Sequence, residues 1–176
     1  FLPLALIVMQ KETGSALVYF AFFLMFYREG MPGSILFCGA AAVTYFVVGI
    51  GQGETVLPGT LASVGESVVL ALVWLFTAGL LQVYVPREPE HAGRILLWGT
   101  VLHLAAYGFS ALLLPFDISW AQLVGCIAMF GYLGMQWIGR RVNTYFLIGL
   151  FAIGSIGFLY ASDYVLNNAM KDYQRT

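Results

Sequence analysis

Charge is what this sequence has least of. Only 10% of its 176 residues are Asp, Glu, Lys or Arg, against about 25% in an ordinary soluble domain. A soluble chain of this length must show much of its surface to water. With 60% hydrophobic residues and 16% aromatics, too little polar surface is left for that. A bilayer removes the constraint, so composition assigns the chain to the membrane class. The formal net charge of -1 excludes a basic face for nucleic acid and an acidic tail. Cysteine is scarce as well. Cys38 and Cys126 both fall in apolar stretches, with no CxxC neighbour and no His at metal spacing. Zinc and redox motifs are thereby excluded, and no metal or other cofactor is evident.

What the sequence does have is long apolar runs. A spanning helix needs roughly 20 apolar residues for a hydrocarbon core about 30 Å thick. Polar punctuation divides the chain into a half-span, Phe1–Met9, and further segments at about Ser15–Tyr27, Gly33–Gly51, Leu61–Val85, Ile95–Phe116, Ala121–Gly139 and Thr144–Tyr164. Pro32, Pro58, Pro86, Pro89 and Pro115 stand at or beside the joints, where a missing N–H costs least. The expected fold is an all-α polytopic transmembrane bundle of about six spans plus a truncated half-span. Residues 1–176 are expected to form a single transmembrane region. The opening run carries no basic leader or small-residue cleavage site, so it does not read as a signal peptide. It reads as the second half of a helix, and Lys171–Thr176 as loop, which makes the chain an internal fragment by expectation.

Sidedness follows from the basic residues. Alternating loops put Arg28, Arg87, Arg94, Arg140 and Arg141 on one side, and Lys11, Lys171 and Arg175 on the other. The excess favours the first side as cytoplasmic, with the tight Gly139–Asn143 turn as its clearest marker. Trp98 and Trp137 then lie near the cytoplasmic boundary and Trp120 near the outer one, as amphipathic belt residues do.

Ser15–Tyr27 is too short to span: thirteen helical residues rise about 20 Å. Either the helix begins near Gln10 or Lys11, or the turn before it sits below the membrane surface. Both place Lys11 and Glu12 at or within the apolar slab, where charges survive only against protein or a water-filled cavity. Glu12 therefore reads as a cavity carboxylate, with a solvated loop acid paired to Lys11 as the alternative.

The stretch Met9-Gln10-Lys11-Glu12-Thr13-Gly14-Ser15-Ala16-Leu17 resembles the Gln-Pro-Asp-x-Gly-Thr-(small)-Leu signature of the SEDS family, which includes the RodA and FtsW branches. Gln10, Gly14, Ser15 and Ala16 fit it; Lys11 stands for the usual proline and Glu12 for the usual aspartate. Tyr27-Arg28-Glu29-Gly30 is similar to the family's next short cytoplasmic turn. Lys171-Asp172-Tyr173-Gln174-Arg175 resembles the Asp-Tyr-Gln-Arg that leads into the large extracytoplasmic loop of the RodA branch. The likeness covers about 1–51 and 144–176. Two spans separate these signatures in the family and six do here, so about 54–142 reads as an insertion of four helices, an even number that preserves sidedness.

The resemblance implies a multi-pass protein of the bacterial inner membrane that polymerises lipid II into glycan strands during cell elongation. Its partners would be a class B penicillin-binding protein and elongation-complex proteins such as MreC and MreD. It implies a carboxylate that deprotonates the acceptor hydroxyl, and cationic groups or a divalent cation at the leaving pyrophosphate. The family's essential aspartate would fall beyond Thr176, so no catalytic residue is expected in this chain, and on its own it should be inactive. The candidates for the substrate cavity are Gln10, Lys11, Glu12, Gly14, Ser15, Tyr173, Gln174 and Arg175. Arg175 has a snorkelling helix-end role as its alternative. Rival readings are an FtsW-like division homologue, a lipid flippase or transporter, and a non-catalytic scaffold.

Three further sites carry weaker expectations. Glu66 either faces a polar cavity or reaches the outer interface with Ser63 and Ser67 as partners. His103, near mid-membrane, reads as a hydrogen-bonded core histidine rather than a proton relay. Arg140 and Arg141 read as topology anchors on anionic headgroups.

Overall fold

A computed structural model describes residues 25, 28–30, 32–53, 55–112 and 116–173, with backbone alone for 50, 163 and 165–173. The half-span and almost all of Ser15–Tyr27 lie outside these residues. The described fold is all-helical. Five helices succeed one another: α1 Gly33–Gly51, α2 Val64–Tyr84, α3 Pro89–Leu112, α4 Ile118–Arg140 and α5 Asn143–Tyr173. Four of them, α2 to α5, are long and apolar enough to cross a membrane; the apolar part of α1, Gly33–Gly49, is shorter. Residues up to Val47 and residues from Val48 onward form two compact units, and the second contains α2–α5.

Apolar patterning located α2 and α4 to within three residues, and misplaced one end each of α3 and α5. Helix α3 begins at Pro89, not Ile95. Proline is tolerated at a first helical position because that N–H has no intrahelical partner, and Glu90 in the first turn suits the positive end of the dipole. Helix α5 runs on through Ser162 to Tyr173, so Lys171–Tyr173 is helix rather than loop. The stretch 54–142 holds three helices, α2 to α4. The four helices expected between those bounds are therefore three among the described residues.

Within the second unit, α2 and α4 each pack against the other three spanning helices, with α3 and α5 as flanks. Half of α2's apolar window is buried, against 22% for α3, which makes α2 the centre and α3 the flank most open to lipid. Lipid tails are as apolar as leucine, so such helices associate through close packing rather than water exclusion. Glycines supply the closeness. A Cβ on Gly99 would fall 2.6 Å from the Trp74 ring. One on Gly125 would overlap Leu102 and sit 3.4 Å from the same indole. Trp74, on α2, thus wedges into notches on α3 and α4. At Gly65 a Cβ would come 2.6 Å from the Gly49 carbonyl oxygen, so the end of α1 abuts the start of α2 backbone to backbone.

Two connections define the ends of this unit. The 52–63 loop folds back on itself: Val56 bridges Ser63, Leu57 N–H donates to Ala62 O (3.0 Å), and Thr60 N–H to Leu57 O (3.0 Å). Pro58 followed by Gly59 at φ +79° is the sequence of a type II turn, whose third position demands positive φ. Ser63 then caps α2, its hydroxyl accepting the Glu66 N–H at 3.1 Å. At the other end, α4 closes on Arg141, held at φ 56° with its N–H on Trp137 O at 2.8 Å.

Candidate functional site

None of the cavity candidates read from the sequence can be assembled here. Gln10, Lys11, Glu12, Gly14, Ser15, Gln174 and Arg175 lie outside the described residues, and Tyr173 is described only as the last backbone position of α5. The polar chemistry the structure does bring together lies elsewhere.

Its densest part is centred on Glu88, in the turn between α2 and α3. One carboxylate oxygen, Oε1, accepts from the Arg140 guanidinium at the end of α4. The other, Oε2, accepts the Tyr145 hydroxyl from α5 at 2.8 Å and faces His91 Nε2 at 2.9 Å. His91 is 5% exposed, and its Nδ1 meets the Tyr132 hydroxyl of α4. The geometry fixes the roles. Nε2–H donates to the carboxylate, so in neutral His91 the Nδ1 must accept, and Tyr132 O–H donates to it. The chain Tyr132–His91–Glu88 can orient an imidazole and hold a proton between two oxygens. Its position, joining α3, α4 and α5 at one end, also makes it a clasp.

Arg140 is therefore committed to Glu88 and, through Nε, to Gln136 at 3.1 Å, rather than to headgroups alone as expected. Because Arg140 meets Glu88, the α2–α3 and α4–α5 turns share one end. Arg87, Arg94, Arg140 and Arg141, four of the five arginines that loop alternation groups, thus stand together.

The opposite end is knitted by main chain. Buried Ser110 of α3 shares its hydroxyl proton between Gly59 O (3.2 Å) and Phe116 O (3.1 Å), and accepts Phe116 N–H at 3.2 Å. Leu61 N–H donates to Phe116 O at 3.3 Å. Ala62, Ala106 and Ile118 close a small apolar cluster beneath. Glu66 lies beside this seam. Its carboxylate takes the Tyr160 hydroxyl of α5 at 2.8 Å, so its partner is a phenol 94 residues on and not the neighbouring serines. Ser67, Ser119 and Gln122 are buried here, with Ser67 Oγ, Ser119 Oγ and Gln122 Oε1 lacking a protein partner.

In the middle of α3, His103 donates Nδ1–H to Gly99 O at 2.7 Å and meets Trp74 edge-on at 6.2 Å between ring centres. Among the described residues no cluster of three or more His, Cys, Asp or Glu could hold a metal ion. Sequence reasoning missed Glu88, His91, Tyr132 and Tyr145 as a group. Their one local signal was the Glu88/His91 spacing of three, which brings two side chains onto one face at a helix start. Compared with known proteins, the chain matches no family model, no curated protein and no solved structure.

Proposed function

We propose that this chain is part of a RodA-like peptidoglycan glycosyltransferase of the bacterial inner membrane, which polymerises lipid II during elongation beside a class B penicillin-binding protein. The observation that carries the reading is the ordered pair of signature-like segments, Gln10–Leu17 and Lys171–Arg175. The four membrane-length helices α2–α5 suit such a multi-pass protein. In this reading four of the six spans between the signatures are inserted, an even number that keeps the two signatures on one side of the membrane. The substrate cavity would be built from Glu12 and its neighbours together with Tyr173, Gln174 and Arg175, with the general base supplied from outside the chain and a divalent cation as an optional aid to the leaving group.

The test is polymerisation of labelled lipid II by the full-length parent protein, purified with its penicillin-binding partner, wild type against Glu12→Ala. Glycan strands from wild type, lost in a variant that still folds and binds its partner, support the polymerase and put Glu12 in its cavity. Absence of strands from a well-folded wild-type complex overturns the reading in favour of transport or scaffolding.

A further inference from the structure

Helices α3 and α4 part along a groove of about 300 Å³. Ile95, Trp98 and Leu102 form one wall, Gly125 and Met129 the other, and Trp74 the floor. Gly125, with no side chain of its own, leaves room at the groove wall for Leu102 and the Trp74 indole. From Arg94 to Leu102 it runs along two turns of α3, about 12 Å along the axis, and its character changes over that length. The inner part is apolar. The mouth, at the arginine-bearing end, is lined by Arg94 and Tyr132.

The Arg94 side chain is 59% exposed, and its guanidinium reaches the carboxylate of the still more open Glu90 at 3.3 Å. Such exposed pairs contribute little and exchange partners readily. Arg87 and Arg141 are exposed at the same end, while Glu88 is engaged by Arg140, His91 and Tyr145. The end thus offers several open arginines to one open glutamate. Trp98, at the rim, is exposed where an interfacial indole belongs.

We infer that this groove binds one anionic phospholipid of the adjoining leaflet, with an acyl chain laid along the groove against Trp74 and the phosphate paired with Arg94. Three observations select this occupant. The groove lies between helices of membrane-spanning length, and its inner part is apolar, as an acyl chain requires. Its mouth carries the charge opposite to a phosphate, the arrangement by which basic pockets between helices take anionic headgroups. Its volume suits part of one chain and not a helix, which is about 10–12 Å across. The inference stands apart from the polymerase reading and needs only the bundle.

Tryptophan quenching by brominated lipids tests it. The full-length protein, with Trp120→Phe and Trp137→Phe so that Trp74 and Trp98 report, is placed in vesicles containing dibromo-phosphatidylglycerol or dibromo-phosphatidylcholine. Phosphatidylglycerol should quench at about fivefold lower mole fraction, the preference one interfacial arginine supplies. Arg94→Ala should abolish that preference and Arg94→Lys retain most of it. Ala128→Phe, which fills the groove from an exposed position on α4, should reduce quenching by both lipids. Equal quenching by the two lipids in wild type, a preference unchanged by Arg94→Ala, or no quenching by either lipid would each overturn the proposal.

Discussion

The two ends of the α2–α5 bundle are closed by different physics. At the arginine-bearing end, side chains from α3, α4 and α5 gather around one carboxylate, Glu88 of the α2–α3 turn. At the opposite end, a glycine turn and the α3–α4 connection trade main-chain bonds through one buried serine. A charged clasp is sensitive to salt and to the loss of its central residue. A main-chain seam is insensitive to salt, and its weak points are backbone conformation and space. Both keep polar groups of the turns from facing hydrocarbon unpaired, which would cost several kcal/mol each.

The largest effect should come from the seam. Gly59→Val places a β-branched residue at φ +79°, with its Cβ 3.3 Å from the Ala111 backbone. Strain and overlap together should cost about 3 kcal/mol, read as a lower thermal midpoint in detergent. A midpoint equal to wild type would mean the turn is not docked. Next comes the clasp. Glu88→Ala leaves Arg140, His91 and Tyr145 short of a partner. The site is partly open, with side-chain exposures of 32% and 44% for Glu88 and Arg140, so the loss should be about 2 kcal/mol, below the range for a fully buried pair. That loss should shrink between low and high salt as the exposed side is screened. Ser110→Ala should cost about 1.5 kcal/mol with no salt dependence, and a matching salt response in both variants would erase the proposed difference. Tyr160→Phe, removing one partly exposed bond to Glu66, should cost about 1 kcal/mol or less. Arg141→Gly should stabilise by about 0.5–1 kcal/mol, because glycine accepts the left-handed φ that Arg141 adopts against its preference.

Much of this fold was legible in composition, because a membrane helix declares itself in any run of apolar residues long enough to span. The errors share one cause. Apolar segmentation ends a helix at its first charged residues, so it cut α3 back from Pro89 to Ile95, discarding the turn that holds Glu90, His91 and Arg94. It also stopped α5 near Tyr164, where polar residues begin to appear in the sequence, although the helix continues to Tyr173. The clasp was hidden for a second reason. Glu88 meets Arg140 and Tyr145, 52 and 57 residues away, and no local pattern encodes such distances. The glycine notches were visible only as glycines. Gly125 gains its meaning from Leu102 and Trp74, which only packing brings near.

The claim on which the rest depends is that the turns alternate across a membrane. The most direct measurement is labelling of single cysteines by an impermeant maleimide, in the full-length protein with Cys38→Ser and Cys126→Ser. Cysteine is placed at Arg87 or Gly139 at one end and at Gln52 or Gly53 at the other. The account predicts that the first pair is labelled from one side of the membrane only and the second pair from the other side only. Labelling of Arg87→Cys and Gln52→Cys from the same side would contradict it.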